Sequence, residues 1–366
     1  MSTLKVEIVE ILESSKHPNA DKLSIYKVLG WNVIAGLNQF KVGDKVVYFP
    51  IDSLLPQEVE AKIFGPDSKI KLHHSRVKTI KLRGAISQGL IVHPETVGVS
   101  DASLGDDLTK DLGIKKYEPP VNLPSGFGNT RVQVRKKQIN PHFHKYTDIE
   151  NAKNYPSLFE EGELVAVTEK IHGSNFRCGY VPFNADTIIK KIKKFFGFAP
   201  KFEFVYGSHN VQLQNKVFYD GYYDSNVYAE TVKKYNLQTI LQEGEVIYGE
   251  IYGEGIQKGY TYGCNPGEQK FVAFDIMKDG KYLDAPDFQA TCLQRIIPTV
   301  PVVYRGPFNL NEIKKLVDGD SVLAPIQKIR EGIVVKPIKE SLTYMGRKVL
   351  KLVSDAYLLG DQSEFH

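Results

Sequence analysis

Lys170 is the side chain with the clearest route to chemistry. It closes the run Val165-Ala166-Val167-Thr168-Glu169-Lys170, and Ile171-His172-Gly173-Ser174-Asn175-Phe176 follows. Leu164 to Val167 form an apolar, β-prone run, and Gly173-Ser174-Asn175 are turn residues. Together they predict a buried strand ending in a lysine, a tight turn and a second strand. A lysine at the end of a buried strand is poorly hydrated, which favours the neutral amine, the form that attacks an electrophile. Taken alone, Lys170 reads more readily as a surface lysine beside a hairpin turn. Other routes to nucleotide chemistry are missing. Gly280-Lys281 is followed by Tyr282 and has no upstream glycine, so there is no P-loop. Gly253-Glu254-Gly255 lacks the third glycine of a dinucleotide fingerprint, and no HExxH occurs.

The totals frame the elements that must hold this lysine. A chain of 366 residues predicts two or three domains, and 42% hydrophobic with 25% charged residues is ordinary for a soluble globular protein. The formal charge of +4 is too mild to imply a nucleic-acid partner, so local clusters matter more. Cys178, Cys264 and Cys292 are odd in number, far apart and in no CxxC pattern. They argue against a disulfide scaffold and a thiolate zinc site. No run of about 18 apolar residues and no signal pattern at Met1-Ser2-Thr3-Leu4-Lys5 occur. The expectation is an intracellular protein, cytoplasmic by default with nuclear or organellar addresses open, and no membrane partner.

Residues 1–118 predict a small all-β module. Val6 to Leu12, Leu23 to Leu29, Trp31 to Ala35, Lys45 to Pro50 and Val77 to Leu82 are short β-prone runs parted by Pro, Gly and Asn. Five short strands with long loops suggest an OB-like barrel, a fold that often binds single strands. Lys78, Lys81 and Arg83 form a basic edge there, read either as phosphate contacts or as charge that protects an edge strand. The odd spacing of Lys78 and Arg83 keeps them off one strand face. Residues 119–145 read as a linker, punctuated by Pro119-Pro120 and Pro124-Ser125-Gly126 and ending in the basic run Arg131, Arg135, Lys136 and Lys137. Residues 146–366 make the second domain, with Thr147 or Asp148 as a helix cap at its start. Within it, Ile188, Ile192 and Phe195 fall on one helical face ringed by lysines. The expectation is an inserted surface helix docked by its apolar stripe, with a basic clamp or a membrane-surface helix as the other readings. Residues 226–242 read as another amphipathic helix.

Several stretches carry a resemblance. His17-Pro18-Asn19-Ala20-Asp21-Lys22-Leu23, Val28-Leu29-Gly30-Trp31, Phe40-Lys41-Val42-Gly43-Asp44 and Lys81-Leu82-Arg83-Gly84-Ala85 resemble the N-terminal OB module of the Deinococcus- and Naegleria-type nick-sealing RNA ligases. The first of these also resembles tRNA-binding OB modules. Thr147-Asp148-Ile149-Glu150-Asn151 resembles a segment that precedes the nucleotidyltransferase domain of these ligases. Lys170-Ile171-His172-Gly173 resembles the KxDG motif of covalent nucleotidyltransferases, with His in the place of Asp. Tyr206-Gly207-Ser208-His209-Asn210, Tyr248-Gly249-Glu250-Ile251, Phe271-Val272-Ala273-Phe274-Asp275, Arg330-Glu331-Gly332-Ile333-Val334-Val335-Lys336 and Lys348-Val349-Leu350-Lys351-Leu352 follow in the family's order. Two positions depart from the pattern. His209 stands where relatives carry Arg, and Val353 where many carry a second basic residue.

The resemblance implies an α+β protein: an OB-like β-barrel, and a nucleotidyltransferase domain of antiparallel sheets flanked by helices. It implies an ATP-dependent RNA ligase using Mg²⁺ or Mn²⁺, a monomer that seals nicks in RNA or RNA/DNA duplexes through a lysyl-AMP. Lys170 is then the nucleophile. Lys336 and Lys351 place positive charge on the α-phosphate and repel the Lys170 proton. His172 meets the 5′-phosphate end. Glu169 reads adenine, Phe274 stacks on it, and Asn175 and Arg177 complete the nucleotide site, with Arg177 in reserve for the charge missing at His209. Glu250 and Glu331 hold ribose or the hydration shell of the metal. Lys78, Lys81, Arg83, Thr147 and Asn151 meet nucleic acid. Each has a plainer reading: Phe274 as core, Glu250 as the outward residue of a strand, Lys336 as a strand end before Pro337. Two rival functions stay open, a DNA ligase or capping enzyme and a non-catalytic RNA-binding OB protein.

Overall fold

The computed structural model describes residues 3–65, 71–117, 140–185, 187–209, 212–213 and 227–360. The basic run at Arg131, Arg135, Lys136 and Lys137 lies outside them, as does Asn210. The chain packs as two units. One takes in Met1–Pro120, Asp148–Glu161 and Leu350–His366, the other Val121–Thr147 and Gly162–Val349.

In the first unit the β-prone runs form β1 (Glu7–Lys16), β2 (Leu23–Val28), β3 (Trp31–Gly36) and β4 (Lys45–Phe49), followed by β5 (Thr79–Leu82), β6 (Ala85–Gln88) and β7 (Leu90–Val92). One antiparallel sheet runs in the order β3-β2-β1-β4-β7. A register shift between Ile11 and Glu13 bends β1, and such a bulge lets a sheet curl toward closure. Alternation along the strands then makes two cores. Ile11, Tyr26, Val28, Trp31, Val33 and Tyr48 pack together on one face, while Ile8, Val47 and Phe49 pack with Val59 and Val97 on the other. Val59 comes from α1 (Gln57–Phe64) and Val97 from α2 (Pro94–Val97). This is the expected OB-like, nearly closed barrel.

The stretch His17-Pro18-Asn19 has a structural use. His17 is buried, and its Nδ1 accepts from the Asn19 backbone N–H at 3.0 Å. The proton therefore sits on Nε2, which donates to the Leu82 carbonyl at 3.0 Å. Asn19 Nδ2 donates to the Arg83 carbonyl, also at 3.0 Å. These bonds clasp the β5–β6 hairpin, whose two-residue turn Arg83-Gly84 has φ of 44° and 95°. Arg83 thus sits in the turn, with Lys81 exposed beside it on β5 and Lys78 half-buried ahead of the strand. β8 (Glu150–Asn151) also belongs to this unit and pairs in parallel with β16 (Leu350–Val353), Asn151 opposite Lys351.

The second unit has two antiparallel layers. In the first, β9 (Leu164–Lys170) lies between β14 (Val302–Pro307) and β15 (Gly332–Pro337). In the second, β10 (Ser174–Pro182), β11 (Phe202–Gly207), β12 (Glu245–Gly253) and β13 (Gln269–Lys278) pair in the order β11-β10-β12-β13, with short strands at either edge. One face of this second sheet presents Phe176, Cys178, Ile247, Ile251, Phe271 and Ile276 to a core. Val227 of α4 (Val227–Lys234) and Phe288 and Cys292 of α5 (Ala285–Gln294) pack into it. The predicted helix over 226–242 divides at Asn236, whose φ is 51°, leaving a short second turn at Leu237–Ile240. By alternation the other face carries Asn175, Arg177, Tyr248 and Glu250.

The inserted helix forms as α3 (Ile188–Phe195), between β10 and β11. Its apolar stripe is exposed rather than docked. Periodicity identifies a stripe but carries no information about whether a neighbour covers it.

Candidate active site

Lys170 ends β9, and its partner across the ladder is Gly332 at the start of β15. That register brings Glu331 alongside, and Lys170 Nζ donates to Glu331 Oε1 at 2.6 Å. The immediate neighbour of the lysine is thus a buried carboxylate. His172 follows in the turn, its Nδ1 3.9 Å from Glu331 Oε2. The His172 ring packs edge-on against Tyr260, with centroids 4.9 Å apart, and its backbone N–H donates to the Tyr262 hydroxyl at 2.8 Å. Burial lowers the His172 pKa, with Glu331 raising it and Lys170 lowering it less strongly. The imidazole is therefore neutral at pH 7, starting from an ordinary value near 6.5.

Gly173 closes the turn because nothing larger fits. A Cβ there would stand 2.3 Å from the Ile251 carbonyl and 2.8 Å from Glu250 Cγ. The contact is with backbone, so β12 would have to move. Gly173→Ala is expected to cost about 1–3 kcal/mol, typical of overpacking. Urea denaturation checks this, and an unchanged midpoint would contradict the close approach.

Glu250 is set opposite Asn175 by the β10–β12 register. Its carboxyl is pushed up to about 8, first by burial and then by Glu331, while Lys170 and a hydrogen bond from the Gly173 backbone oppose the shift. At neutral pH the free protein holds this carboxyl mostly protonated. The linkage sign follows. Folding takes up a proton between the ordinary carboxylate value and about 8, so stability falls as pH rises through that window and the penalty is complete above it. Glu250→Gln mimics the protonated form. It is expected to exceed wild type in stability by on the order of 2 kcal/mol at alkaline pH, with the difference fading toward acid. Thermal unfolding of both proteins across pH reads this directly, and a gap that widens toward acid would contradict it.

Glu169 points away from Lys170, as strand alternation requires. Its Oε2 accepts from the Val322 and Leu323 backbone N–H groups at 2.8 and 2.9 Å. Its Oε1 is buried with no hydrogen-bond partner, as are Asn175 Oδ1, Glu331 Oε2 and Arg177 Nη2. Buried polar atoms are normally satisfied, so unpartnered oxygens on Glu169, Asn175 and Glu331, residues at or next to the Lys170 strand end and its turn, mark a candidate site for a polar ligand. Arg177 is otherwise committed. Its Nε donates to the Ser208 carbonyl at 3.0 Å and its Nη1 to the Phe143 carbonyl at 2.7 Å, with the guanidinium stacked 4.0 Å from the Phe143 ring centre. Burial lowers it to about 10, with Tyr248 and Tyr282 opposing. Arg177 thus holds the Tyr206–Ser208 strand end in place and keeps only Nη2 for a ligand.

Lys336 is not the free cation beside Lys170 that the sequence suggests. It stands opposite Ala166, four residues from Lys170 along β9, or roughly 13 Å of strand. Its Nζ donates to the Phe274 carbonyl at 2.7 Å and to Asp275 Oδ2 at 2.8 Å. Asp275 Oδ2 also accepts from the Tyr146 hydroxyl at 2.6 Å and pairs with Arg347 at 2.8 Å. Arg347 in turn grips Glu340 with Nε at 2.7 Å. Arg347 and Lys348, the other basic residues near the fifth motif, are therefore engaged, Lys348 donating to Glu163 at 2.7 Å. Phe274 is the odd residue where the β12–β13 register slips, since Tyr248 faces Asp275 and Gly249 faces Ala273. The bulge turns its ring edge-on to Tyr146, centroids 4.7 Å apart, and with Thr168, Ala166 and Lys336 it lines a small cavity.

The second unit therefore brings together Lys170, His172, Asn175, Glu250 and Glu331, with Glu169 behind the lysine. Thr147 lies in this unit too, bonded to Tyr282. Lys351, Asn151, Lys78, Lys81 and Arg83 belong to the first unit. Tyr146, Tyr260 and Tyr262 escape sequence reasoning, because an isolated tyrosine carries no spacing signal and its partners are distant in the chain.

Comparison with known proteins assigns the chain a family. The RNA ligase family model matches residues 163–353, more than half the chain. This chain belongs to the RNA ligase family. An OB-fold domain model matches residues 5–94. Among solved structures, a Naegleria gruberi RNA ligase mutant with ATP and Mn is 25% identical, covers 96% of this chain and 98% of that one, and has a TM-score of 0.74. An apo mutant of the same ligase is 25% identical over 98% of each chain, with a TM-score of 0.72. The phenylalanine–tRNA ligase beta subunit of Geobacter sulfurreducens is 34% identical over 118 residues, 30% of this chain. The chain spans only 14% of that subunit's length. No helix among the described residues is long and apolar enough to cross a membrane.

Proposed function

We propose that this RNA ligase family member is an ATP-dependent ligase that works through a covalent lysyl-AMP on Lys170. The observation that carries the reading is the Lys170–Glu331 contact at 2.6 Å, at a strand end where Glu169, Asn175 and Glu331 each leave a buried oxygen without a partner. The ammonium first gives up a proton. Its nitrogen then attacks the α-phosphorus of ATP, forming a P–N bond and breaking the P–O bond to pyrophosphate. The adenylyl group passes to a 5′-phosphate and frees the lysine. A 3′-hydroxyl attacks that activated end, forms the phosphodiester and expels AMP.

The Naegleria gruberi ligase has been solved with ATP and Mn. The residues here fit such an ion. Glu331 is close enough to raise Glu250, and Glu331 Oε2 is buried without a hydrogen-bond partner. No group of three or more candidate ligands occurs among the described residues. Two carboxylates suit an ion that keeps most of its waters. Bound there, it supplies positive charge against the phosphates. Glu250 must ionise to hold it, so its affinity rises as pH approaches 8.

In this reading Lys336 serves the nucleotide indirectly. Its bonds to Asp275 and the Phe274 carbonyl fix the bulge that aims the Phe274 ring. The substrate is a nick with RNA on the 3′-hydroxyl side, gripped in part by the OB module through Lys81 and Arg83. A sealing assay over the four combinations of RNA and DNA strands flanking a nick tests this. Sealing confined to RNA at the 3′-hydroxyl supports it, while equal sealing with DNA there favours a DNA ligase.

A further inference from the structure

We propose that α3 and the turn after it form a binding surface for anionic lipid, with the helix lying in the plane of the membrane headgroups. At 100° per residue, Ile188, Ile189, Ile192 and Phe195 fall within an arc of about 120°. Lys190, Lys191, Lys193 and Lys194 fill the rest of the circumference. The apolar arc is open: Ile188 is 76% exposed, Ile192 51% and Phe195 84%. Phe196 and Phe198, just past the helix, continue it at 63% and 81%. No acidic residue lies in the helix.

The helix is well made despite this exposure. The Thr187 side chain caps it by accepting from the Lys190 N–H, and the Phe198 N–H returns to the Lys193 carbonyl. An ordered helix with large apolar side chains in water needs a reason, since contiguous exposed patches of this kind mark interaction sites. The charge pattern selects among partners. A nucleic-acid backbone would satisfy the lysines and leave the isoleucines and phenylalanines in water. An apolar protein groove would take the stripe and give Lys191, Lys193 and Lys194 no anionic surface to meet. An anionic bilayer surface uses both, burying the stripe at the acyl boundary while the lysines meet headgroups. A helix in the plane needs no spanning length, so the missing apolar span has no bearing on it.

The test uses the full chain in vesicle flotation. One set of vesicles is phosphatidylcholine alone, and the other contains about 30% phosphatidylserine. Wild type is expected to partition at least about tenfold better onto the second set at low salt, and less so as salt rises. The double variant Ile192→Asp/Phe195→Asp, with circular dichroism unchanged, is expected to fall to the phosphatidylcholine level. Equal partition of wild type onto both vesicles would overturn the proposal, as would retention by the double variant. A substitution that spares vesicle binding but weakens binding to duplex RNA, or changes the sedimentation of the lipid-free protein, would assign the stripe to RNA or to a second copy instead.

Discussion

Lys170→Arg is expected to abolish sealing from ATP while sparing the fold. Arginine keeps the positive charge and can still reach Glu331, so that carboxylate is not left buried and unpaired. Its guanidinium does not give up a proton and is no nucleophile. The loss should be at least ~10⁴-fold, as for removal of a covalent nucleophile. A strand supplied already adenylated at its 5′ end bypasses the lysine. The same variant should therefore seal it within about tenfold of wild type, because the 3′-hydroxyl attack needs only positioning and charge. Loss of both reactions would mean that Lys170 matters for assembly of the site and not as a nucleophile.

Asp275→Ala is expected to be the most destabilising single change in the second unit. Asp275 is the one anion shared by Lys336, Arg347 and the Tyr146 hydroxyl, all buried. Burial works against its ionised form, but Lys336 and Arg347 outweigh it and hold the carboxyl below its ordinary range. Removing it strips the buried Lys336 ammonium of its carboxylate and leaves its bond to the Phe274 carbonyl, while Arg347 keeps Glu340. Breaking a buried pair in this way costs about 3–5 kcal/mol. Urea denaturation measures it, and a change under about 1 kcal/mol would show the network to be dispensable. The pH dependence is the reverse of Glu250's. Because the folded value is depressed, the stabilisation is present above the ordinary carboxylate range and is lost as pH falls through the folded value.

The two carboxylates show what a sequence can and cannot convey. Glu250 and Glu331 are visible because each sits in a short motif whose neighbours, Gly249 and Gly332, are themselves dictated by the strands they join. Their electrostatic fates are not visible. Whether a carboxylate is pushed up, as at Glu250, or held down, as at Asp275, depends on cations brought in by distant register. Lys336 is the clearest case. Read along the chain it is a strand-end lysine free to reach phosphate, yet its partner Asp275 lies 61 residues earlier.

The barrel and its strands were legible from alternation and turn residues, because a half-buried strand must alternate wherever it lies. The clasp of His17 on the β5–β6 hairpin was not, since it spans 65 residues. Phe274 was legible as aromatic but not as the odd residue of a bulge, which depends on the count of residues in two facing strands. α3 divides the same way: capping and periodicity predict the helix, and only the folded surroundings show its stripe in the open.

The central claim reduces to one bond between a lysine nitrogen and phosphorus. Purified protein incubated with ATP and Mg²⁺ should gain the mass of one adenylyl group, acid-labile as a phosphoramidate is, and peptide mapping should place it on Lys170. Label found on another residue, or no mass gain under those conditions, would contradict the account.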